Sequence, residues 1–201
     1  MDKEYSQAGQ DLFVLNLIPT MYATDLRTFV DIGCYLPRGL NNTLLLEENG
    51  WFGLSLDILD FHKEWESRKS TFIQADALTT DYTSLFRQIT GSASKVIDYL
   101  NVDIEGEGNR FAALMKVFES EWDFKIITIE HDSYRGYEKT EAEPQRYFLY
   151  ERGYELVCKN VHLTGNPFED WWVNPKYISQ DKYQHLICEN ADYMEIINKL
   201  K

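Results

Sequence analysis

Short apolar runs alternate along the chain with stretches of helical spacing, and this alternation predicts the elements. Gln10 to Ile18 is apolar at roughly the helical period and stops at Pro19, a helix ahead of any sheet. Thr28 to Ile32 reads as a first strand. Asn41-Asn42-Thr43 supplies capping side chains for a helix over Leu44 to Asn49, closed by Gly50. Phe52 to Ile58 is a second strand, Asp60 to Arg68 a short helix, Thr71 to Gln74 a third strand, and Tyr82 to Ile89 a helix that stops near Gly91. Val96 to Ile104 is the fourth strand, with Glu105-Gly106-Glu107-Gly108 as its exit loop. Asn109 to Glu119 is an amphipathic helix and Lys125 to Ile129 a fifth strand. A polar stretch, Ser133 to Thr140, leads into a helix up to Arg152 that Gly153 closes. Tyr154 to Val161 and Trp171 to Val173 predict a closing antiparallel pair, turning at Gly165-Asn166-Pro167, and Ala191 to Lys201 a terminal helix.

Strands that alternate with helices imply an α/β fold: a mainly parallel sheet, covered on both faces and joined by right-handed crossovers. The 201 residues suit a single domain, with a helical lead-in over 1–27, a core over 28–175 and a tail over 176–201. The formal net charge is -13 and no Lys/Arg cluster offsets it, which disfavours nucleic acid and anionic membrane as partners. No apolar run approaches the roughly 20 residues of a membrane helix, and the first residues lack a basic-then-apolar signal pattern, so a cytoplasmic location is expected. Cys34, Cys158 and Cys188 have no metal spacing and read as reduced thiols.

Candidate chemistry begins at Phe29-Val-Asp-Ile-Gly33 and the loop from Cys34 to Thr43, a buried strand that ends in an acid and a glycine before a helix start. Nucleotide-like ligands settle at such junctions. Asp31, Gly33, Asn42 and Thr43 are therefore candidate cofactor residues. The glycines do not follow G-x-G-x-x-G, the fingerprint a dinucleotide dehydrogenase uses to bring pyrophosphate against the backbone. Asp57 ends the second strand, where an acid can take two ribose hydroxyls. Asp76 and Ala77 end the third, where a carboxylate and backbone can reach an adenine amino group. Acids at three strand tips match a nucleoside without phosphates, and S-adenosyl-L-methionine, with its cationic tail, is such a ligand. Each aspartate also has an ordinary use as a turn or cap residue.

Taken together, these segments resemble the FkbM-type family of S-adenosylmethionine-dependent O-methyltransferases. The carrying residues are Tyr5-Ser-Gln-Ala-Gly-Gln-Asp11, Val30-Asp-Ile-Gly33 with Asn42-Thr43, Leu46-Glu47, and Asn49-Gly-Trp-Phe-Gly53 leading to Leu56-Asp57. Tyr99-Leu-Asn-Val-Asp-Ile-Glu-Gly106, Ile129-Glu130 and Phe168-Glu-Asp-Trp-Trp172 complete the match. Pro37 stands where the family usually has glycine, and Asp57 where it usually has glutamate. The resemblance implies a class I methyltransferase (Rossmann-like) fold: a seven-stranded sheet with the last strand antiparallel and helices on both faces. It also implies methyl transfer to a hydroxyl, often of a sugar, with Ser6 and Gln10 over the cofactor. A glycan acceptor, with a deoxysugar such as rhamnose as the example, and fusion to or association with glycosyltransferase domains belong to the same implication.

A sugar hydroxyl needs help to lose its proton. Asp103 and Glu105 are two apart at a strand exit and point to one side of an extended chain, and Asp103 also counts among the cofactor residues. Glu130 and His131 leave the next strand. Two mechanisms are open. A divalent cation, manganese or magnesium, held by Asp103, Glu130 and His131 would acidify the hydroxyl, with Glu105 or a bound water taking the proton. Alternatively, His131 or Glu105 acts as base without metal. Tyr134, on a lip running to Tyr137, together with His162, Glu169, Asp170 and Trp171, are candidates for the acceptor pocket. Trp171 and Trp172 also fit a core role. A methyltransferase for a non-sugar hydroxyl or amine, and an inactive binding domain of the same fold, are the alternatives.

Overall fold

The computed structural model describes residues 5–19, 26–91, 94–106, 108–136 and 141–200. Helix α1 (Gln10–Leu17) precedes strand β1 (Thr28–Ile32). Then come α2 (Leu44–Glu48), β2 (Phe52–Asp57), α3 (His62–Trp65), β3 (Thr71–Gln74), α4 (Tyr82–Thr90), β4 (Val96–Val102), α5 (Asn109–Phe118) and β5 (Asp123–Glu130). After a short 3-10 turn, α6 (Ala142–Tyr150), β6 (Glu155–Leu163), β7 (Asn166–Val173), β8 (Cys188–Glu189) and α7 (Tyr193–Lys199) complete the described chain. The strands form one sheet in the order β3-β2-β1-β4-β5-β7-β6-β8. β1 to β5 are mutually parallel, whereas β7 runs antiparallel between β5 and β6.

Two of the sequence expectations need correction. The sheet has eight strands, not seven: Cys188–Glu189 adds a two-residue parallel edge to β6, too short to leave any hydrophobic period. The closing turn lies at Thr164-Gly165, both at positive φ, with Leu163 opposite Asn166. A two-residue turn of that kind matches the twist of its strands, so β7 starts at Asn166 and takes Pro167 into its first residues.

Period-two alternation divides the core. Phe29, Tyr99, Ile126 and Trp171 face one side, packed with Phe13, Leu46 and Ile196 from α1, α2 and α7. Val30, Leu100, Ile127 and Trp172 face the other, packed with Phe86, Leu114 and Leu149 from α4, α5 and α6. The two adjacent tryptophans thus serve opposite faces, and both are fully buried. β1 is buried along its whole length, as a central parallel strand must be.

The strand order reverses between β1 and β4, the place where open α/β sheets bind ligands beyond the carboxyl ends of their strands. Two glycines allow the strands to close up there. Gly33 has φ +84, and a β-carbon on it would sit 1.7 Å from the Asp103 carbonyl oxygen. A β-carbon on Gly53 would sit 2.3 Å from the Phe29 carbonyl oxygen. Among the described residues, no helix is long and apolar enough to cross a membrane.

Candidate functional site

Because β1 to β5 are parallel, the residues at their carboxyl ends share one rim. Asp57 is the last residue of β2, Asp103 follows β4, Glu130 ends β5, and Asp76 lies just past β3. A cleft of about 740 Å³ opens along this rim, lined by Gly33, Tyr35, Leu56, Asp57, Ile58, Leu59, Ala75, Asp76, Ala77, Leu78, Asp103, Ile104, Glu105 and Asn109. That volume suits a small-molecule ligand. Of the predicted cofactor residues, Gly33, Asp57, Asp76, Ala77 and Asp103 line it.

Backbone amides orient two of its acids. Asp57 Oδ2 accepts from Tyr35 N at 2.9 Å and Oδ1 from Leu59 N at 2.9 Å. Asp76 Oδ1 accepts from Leu78 N at 2.8 Å. Ile58 and Leu59 are exposed aliphatic residues on the cleft wall. Tyr35 holds a positive φ and is anchored by Trp65, whose indole donates to its carbonyl at 3.0 Å.

The remaining cofactor candidates lie elsewhere. Asp31 sits one residue inside β1, and its side chain turns in under α1 and α2, on the face shared with Phe29. Asn101 Nδ2 donates to it at 2.9 Å and Thr43 Oγ1 at 3.3 Å. Burial pushes its carboxyl up to about 6, against the pull of Asn101 and the Arg68 charge. Asn101 in turn accepts from Thr128 Oγ1 at 2.7 Å. Ser6 donates to Asp11 at 2.6 Å, and Gln10 Nε2 donates to Glu169 at 2.9 Å. Ser6, Gln10, Asp31, Asn42 and Thr43 are buried, and none is among the lining residues. Asn42 keeps a buried Oδ1 with no hydrogen-bond partner.

The helix start expected to cradle a ligand is already filled. Asn41 Oδ1 accepts from Thr43 N at 3.1 Å and Leu44 N at 2.9 Å, so Asn41 supplies the capping oxygen, although Thr43 is the residue at the N-cap position. Arg68, fully buried, donates to Asn41 at 3.0 Å, Thr43 at 3.2 Å, Glu47 at 3.1 Å and the Pro37 carbonyl at 2.7 Å. Pro37 thus contributes an acceptor where its missing donor is not needed. Nothing in the pattern around Arg68 marks it as a buried clasp.

At the other end of the rim, the Asp103 and Glu130 carboxyls come within hydrogen-bonding reach of each other, where one proton can serve both. Burial raises both carboxyls, Asp103's to about 6 and Glu130's to about 9; the Asp103 charge raises Glu130's further, while the hydrogen bond from Glu130 holds Asp103's down. Arg110, another fully buried arginine that the sequence did not single out, donates to Glu130 Oε2 at 2.7 and 3.0 Å and to Asp132 at 3.1 Å. Glu105 is exposed and accepts from Arg135 at 3.2 Å.

The expected metal set is not assembled. His131 is completely buried: Nδ1 accepts from Ser133 N at 3.2 Å, and Nε2 lies 3.4 Å from Asp170 Oδ1. Its amide donates to Phe168 O at 2.7 Å, turning the residue after β5 inward. Glu130 is committed to Asp103 and Arg110. Among the described residues, no group of three His, Cys, Asp or Glu side chains could hold a metal ion. Asp103, Glu130 and His131 therefore do not fit a divalent cation, and His131 is not placed to act as base.

The acceptor candidates are corrected too. Asp170 is fully buried. Desolvation opposes its charge, but His131 and Arg146, the arginine donating to it at 2.7 and 3.0 Å, outweigh it and hold the carboxyl low. Glu169 is buried with Gln10 and the Trp171 indole on its oxygens, and burial pushes it up to about 8. Trp171 packs on Phe13 in the core, with ring centroids 4.8 Å apart. All three are interior because β7 is covered on both sides. His162 is on β6, with β7 between it and β5. Tyr134 is partly exposed beside Arg135, and neither it nor His162 lines the cleft. Tyr137 and Glu107 lie outside the described residues.

No protein-family model matches the chain, and no curated protein matches it. Several solved structures share its architecture. An rRNA methylase from Streptococcus thermophilus is 12% identical with a TM-score of 0.53, over 87% of this chain and 98% of that one. A protein of the NADB-Rossmann superfamily from Streptococcus agalactiae is 18% identical with a TM-score of 0.51, over 87% and 70%. A Streptococcus mutans protein, described as a candidate methyltransferase in complex with SAH, is 12% identical with a TM-score of 0.50, over 86% and 99%. At such identities the likeness is one of fold. The fold is the Rossmann-like fold of class I methyltransferases, with one strand added at its edge.

Proposed function

We propose that this chain is an S-adenosylmethionine-dependent O-methyltransferase whose acceptor is a sugar hydroxyl. The observation that carries the reading is one cleft with Asp57 and Asp76 on neighbouring strand ends, Gly33 beside them and Asp103 opposite. The residues fit the ligand. Asp57 can take ribose hydroxyls, Asp76 and the Ala77–Leu78 backbone an adenine edge, and Ile58 and Leu59 an adenine face. A dinucleotide fits badly, because the α2 amides that would meet a pyrophosphate are taken by Asn41. Bound in the cleft, S-adenosylmethionine supplies an electrophilic methyl group on a sulfonium.

Asp103 is the carboxyl group of the cleft best placed to take the acceptor's proton. Its coupling to Glu130 gives that proton a second oxygen to be shared with, and Arg110 holds Glu130 in position. The sugar assignment rests on the FkbM-type motifs, and the charge favours it over RNA. Several fold neighbours are RNA methylases, yet a chain of net charge -13 with a carboxylate-lined rim repels a phosphate backbone. Calorimetry with S-adenosylmethionine, SAH and NAD, followed by mass spectrometry of methyl transfer across a panel of glycosides, tests the reading. NAD binding with no S-adenosylmethionine binding overturns the cofactor assignment; cofactor binding with transfer only to RNA or amines overturns the acceptor.

A further inference from the structure

The fold brings together two cysteines that are far apart in sequence. Cys158 on β6 and Cys188 on β8 are register partners across the last strand pair of the sheet. Neighbouring strands run about 4.7–4.9 Å apart, inside the Cα separation of about 4.4–6.8 Å that a disulfide spans. Both side chains turn to one face: Cys158 lies in the core with Trp171 and Leu186, and Cys188 packs against that cluster. The two thiols are within hydrogen-bonding reach, and Cys158 also donates to Leu186 O at 3.7 Å.

Their environments divide the roles. Cys158 is completely buried, and burial pushes its thiol up. Cys188 is half-buried at the open edge; the hydrogen bond from Cys158, and then the Lys199 charge, pull its thiol down despite desolvation. An accessible, acidified thiol beside a second thiol is the arrangement of an attacking and a resolving cysteine. β8 itself is lightly held. Its attachments include Asn190 N to Lys159 O at 2.9 Å and an exposed Lys159–Glu189 pair at 2.7 Å.

We propose that Cys158 and Cys188 form a reversible dithiol–disulfide site, oxidised by hydroperoxides, whose closure staples β8 to β6. Cys188 Sγ, as thiolate, attacks a peroxide oxygen; the O–O bond breaks and the departing oxygen leaves as an alcohol or water after taking a proton. The resulting sulfenic acid is attacked at sulfur by Cys158 Sγ. The S–O bond breaks, the S–S bond forms, and the hydroxyl leaves as water with the Cys158 proton. The two electrons lost by the thiols are those gained by the peroxide. This site stands apart from the cleft and does not rest on the methyl-transfer reading.

The test treats the reduced full chain with hydrogen peroxide, quenches with an alkylating agent under denaturing conditions, and maps peptides without reduction. The expected result is one cross-linked peptide pair joining Cys158 to Cys188, reversed by dithiothreitol, with Cys34 still alkylatable. Cys188→Ser should abolish the cross-link and slow thiol loss at least tenfold. Three alkylatable thiols after treatment, a Cys188 sulfinic acid with Cys158 free, or a disulfide between chains would each overturn the proposal. Hydrogen exchange over 188–199 should slow on oxidation; unchanged exchange refutes the stapling.

Discussion

Gly33→Ala is the sharpest test of how the rim is built. Gly33 holds φ +84, and alanine there costs about 1–2 kcal/mol in backbone strain alone. The new β-carbon would meet the Asp103 carbonyl oxygen at 1.7 Å, and a tolerable contact needs at least 3.0 Å, so the tips of β1 and β4 must part. That motion strains Asp103 N to Ile32 O at 2.9 Å and Gly33 N to Leu56 O at 2.8 Å, each hydrogen bond contributing about 1 kcal/mol. The sum is about 3–4 kcal/mol, and at about 2–4 °C per kcal/mol for a chain of this size the Tm should fall by roughly 6–16 °C. Gly39→Ala is the control, since nothing lies within 4 Å of the β-carbon it would add. Differential scanning calorimetry reads stability. Calorimetric titration with S-adenosylmethionine reads the cleft, which Gly33, Leu56 and Asp103 all line. If Gly33→Ala melts and binds like Gly39→Ala, the close approach is not what shapes the site.

Three further outcomes follow from the same geometry. Asp57→Ala should weaken S-adenosylmethionine binding about 10- to 100-fold by titration, since hydrogen bonds to a charged group contribute about 1.5–3 kcal/mol. Asp103→Asn should cut single-turnover methyl transfer by about 10²–10⁴-fold while S-adenosylmethionine affinity changes less than tenfold; unimpaired turnover would remove Asp103 as proton acceptor. Stability should rise as pH falls from 8 towards 5. Asp31 moves from 3.8 up to about 6 on folding and Glu169 from 4.5 up to about 8, so between the unfolded and folded values the native chain binds the extra proton. Each such proton favours the folded state by about 1.4 kcal/mol per pH unit of decrease, and the gain ends below the unfolded values. There the low carboxyls of Asp170 and Glu47 take over, and stability is lost as they protonate. A Tm that climbs steadily from pH 5 to 8 would refute this.

Runs of apolar residues made the sheet legible. β3 falls where its four residues predict, and Asp57, Asp76 and Asp103 reach the rim because parallel strands put all their carboxyl ends together. Position within a strand was less legible. Asp31 looks like a tip residue, but Ile32 continues the strand, and one residue of offset sends a side chain to the other face or into the sheet. His131 follows Glu130 directly, yet its amide is captured by Phe168 O and its ring by Asp170. Such turning depends on β7, a distant segment, and no local spacing announces it. The same holds for Glu169 and Asp170, whose burial is decided by α1 and α6 covering them.

The least legible residues are the arginines, and they explain how so acidic a chain keeps carboxyls indoors. Arg68 serves Glu47, Arg110 serves Glu130 and Asp132, and Arg146 serves Asp170. A buried carboxylate without such a partner costs several kcal/mol or takes up a proton. Asp31 and Glu169 receive only neutral donors, and burial raises both; it also raises Glu130 despite Arg110, because Asp103 adds a like charge beside it. These acids thus sort into three kinds: arginine-paired ones held low, Asp170 and Glu47; ones that burial raises, Asp31, Glu169 and the Asp103–Glu130 pair; and Asp57 and Asp76, bonded to backbone amides at the cleft. Asp57, Asp76 and Asp103 line the cleft and offer oxygen to a ligand, with Glu105 at its edge. A cationic nucleoside matches that surface and a phosphate-rich one does not, so the charge that argues against RNA is the same charge that argues for a sulfonium.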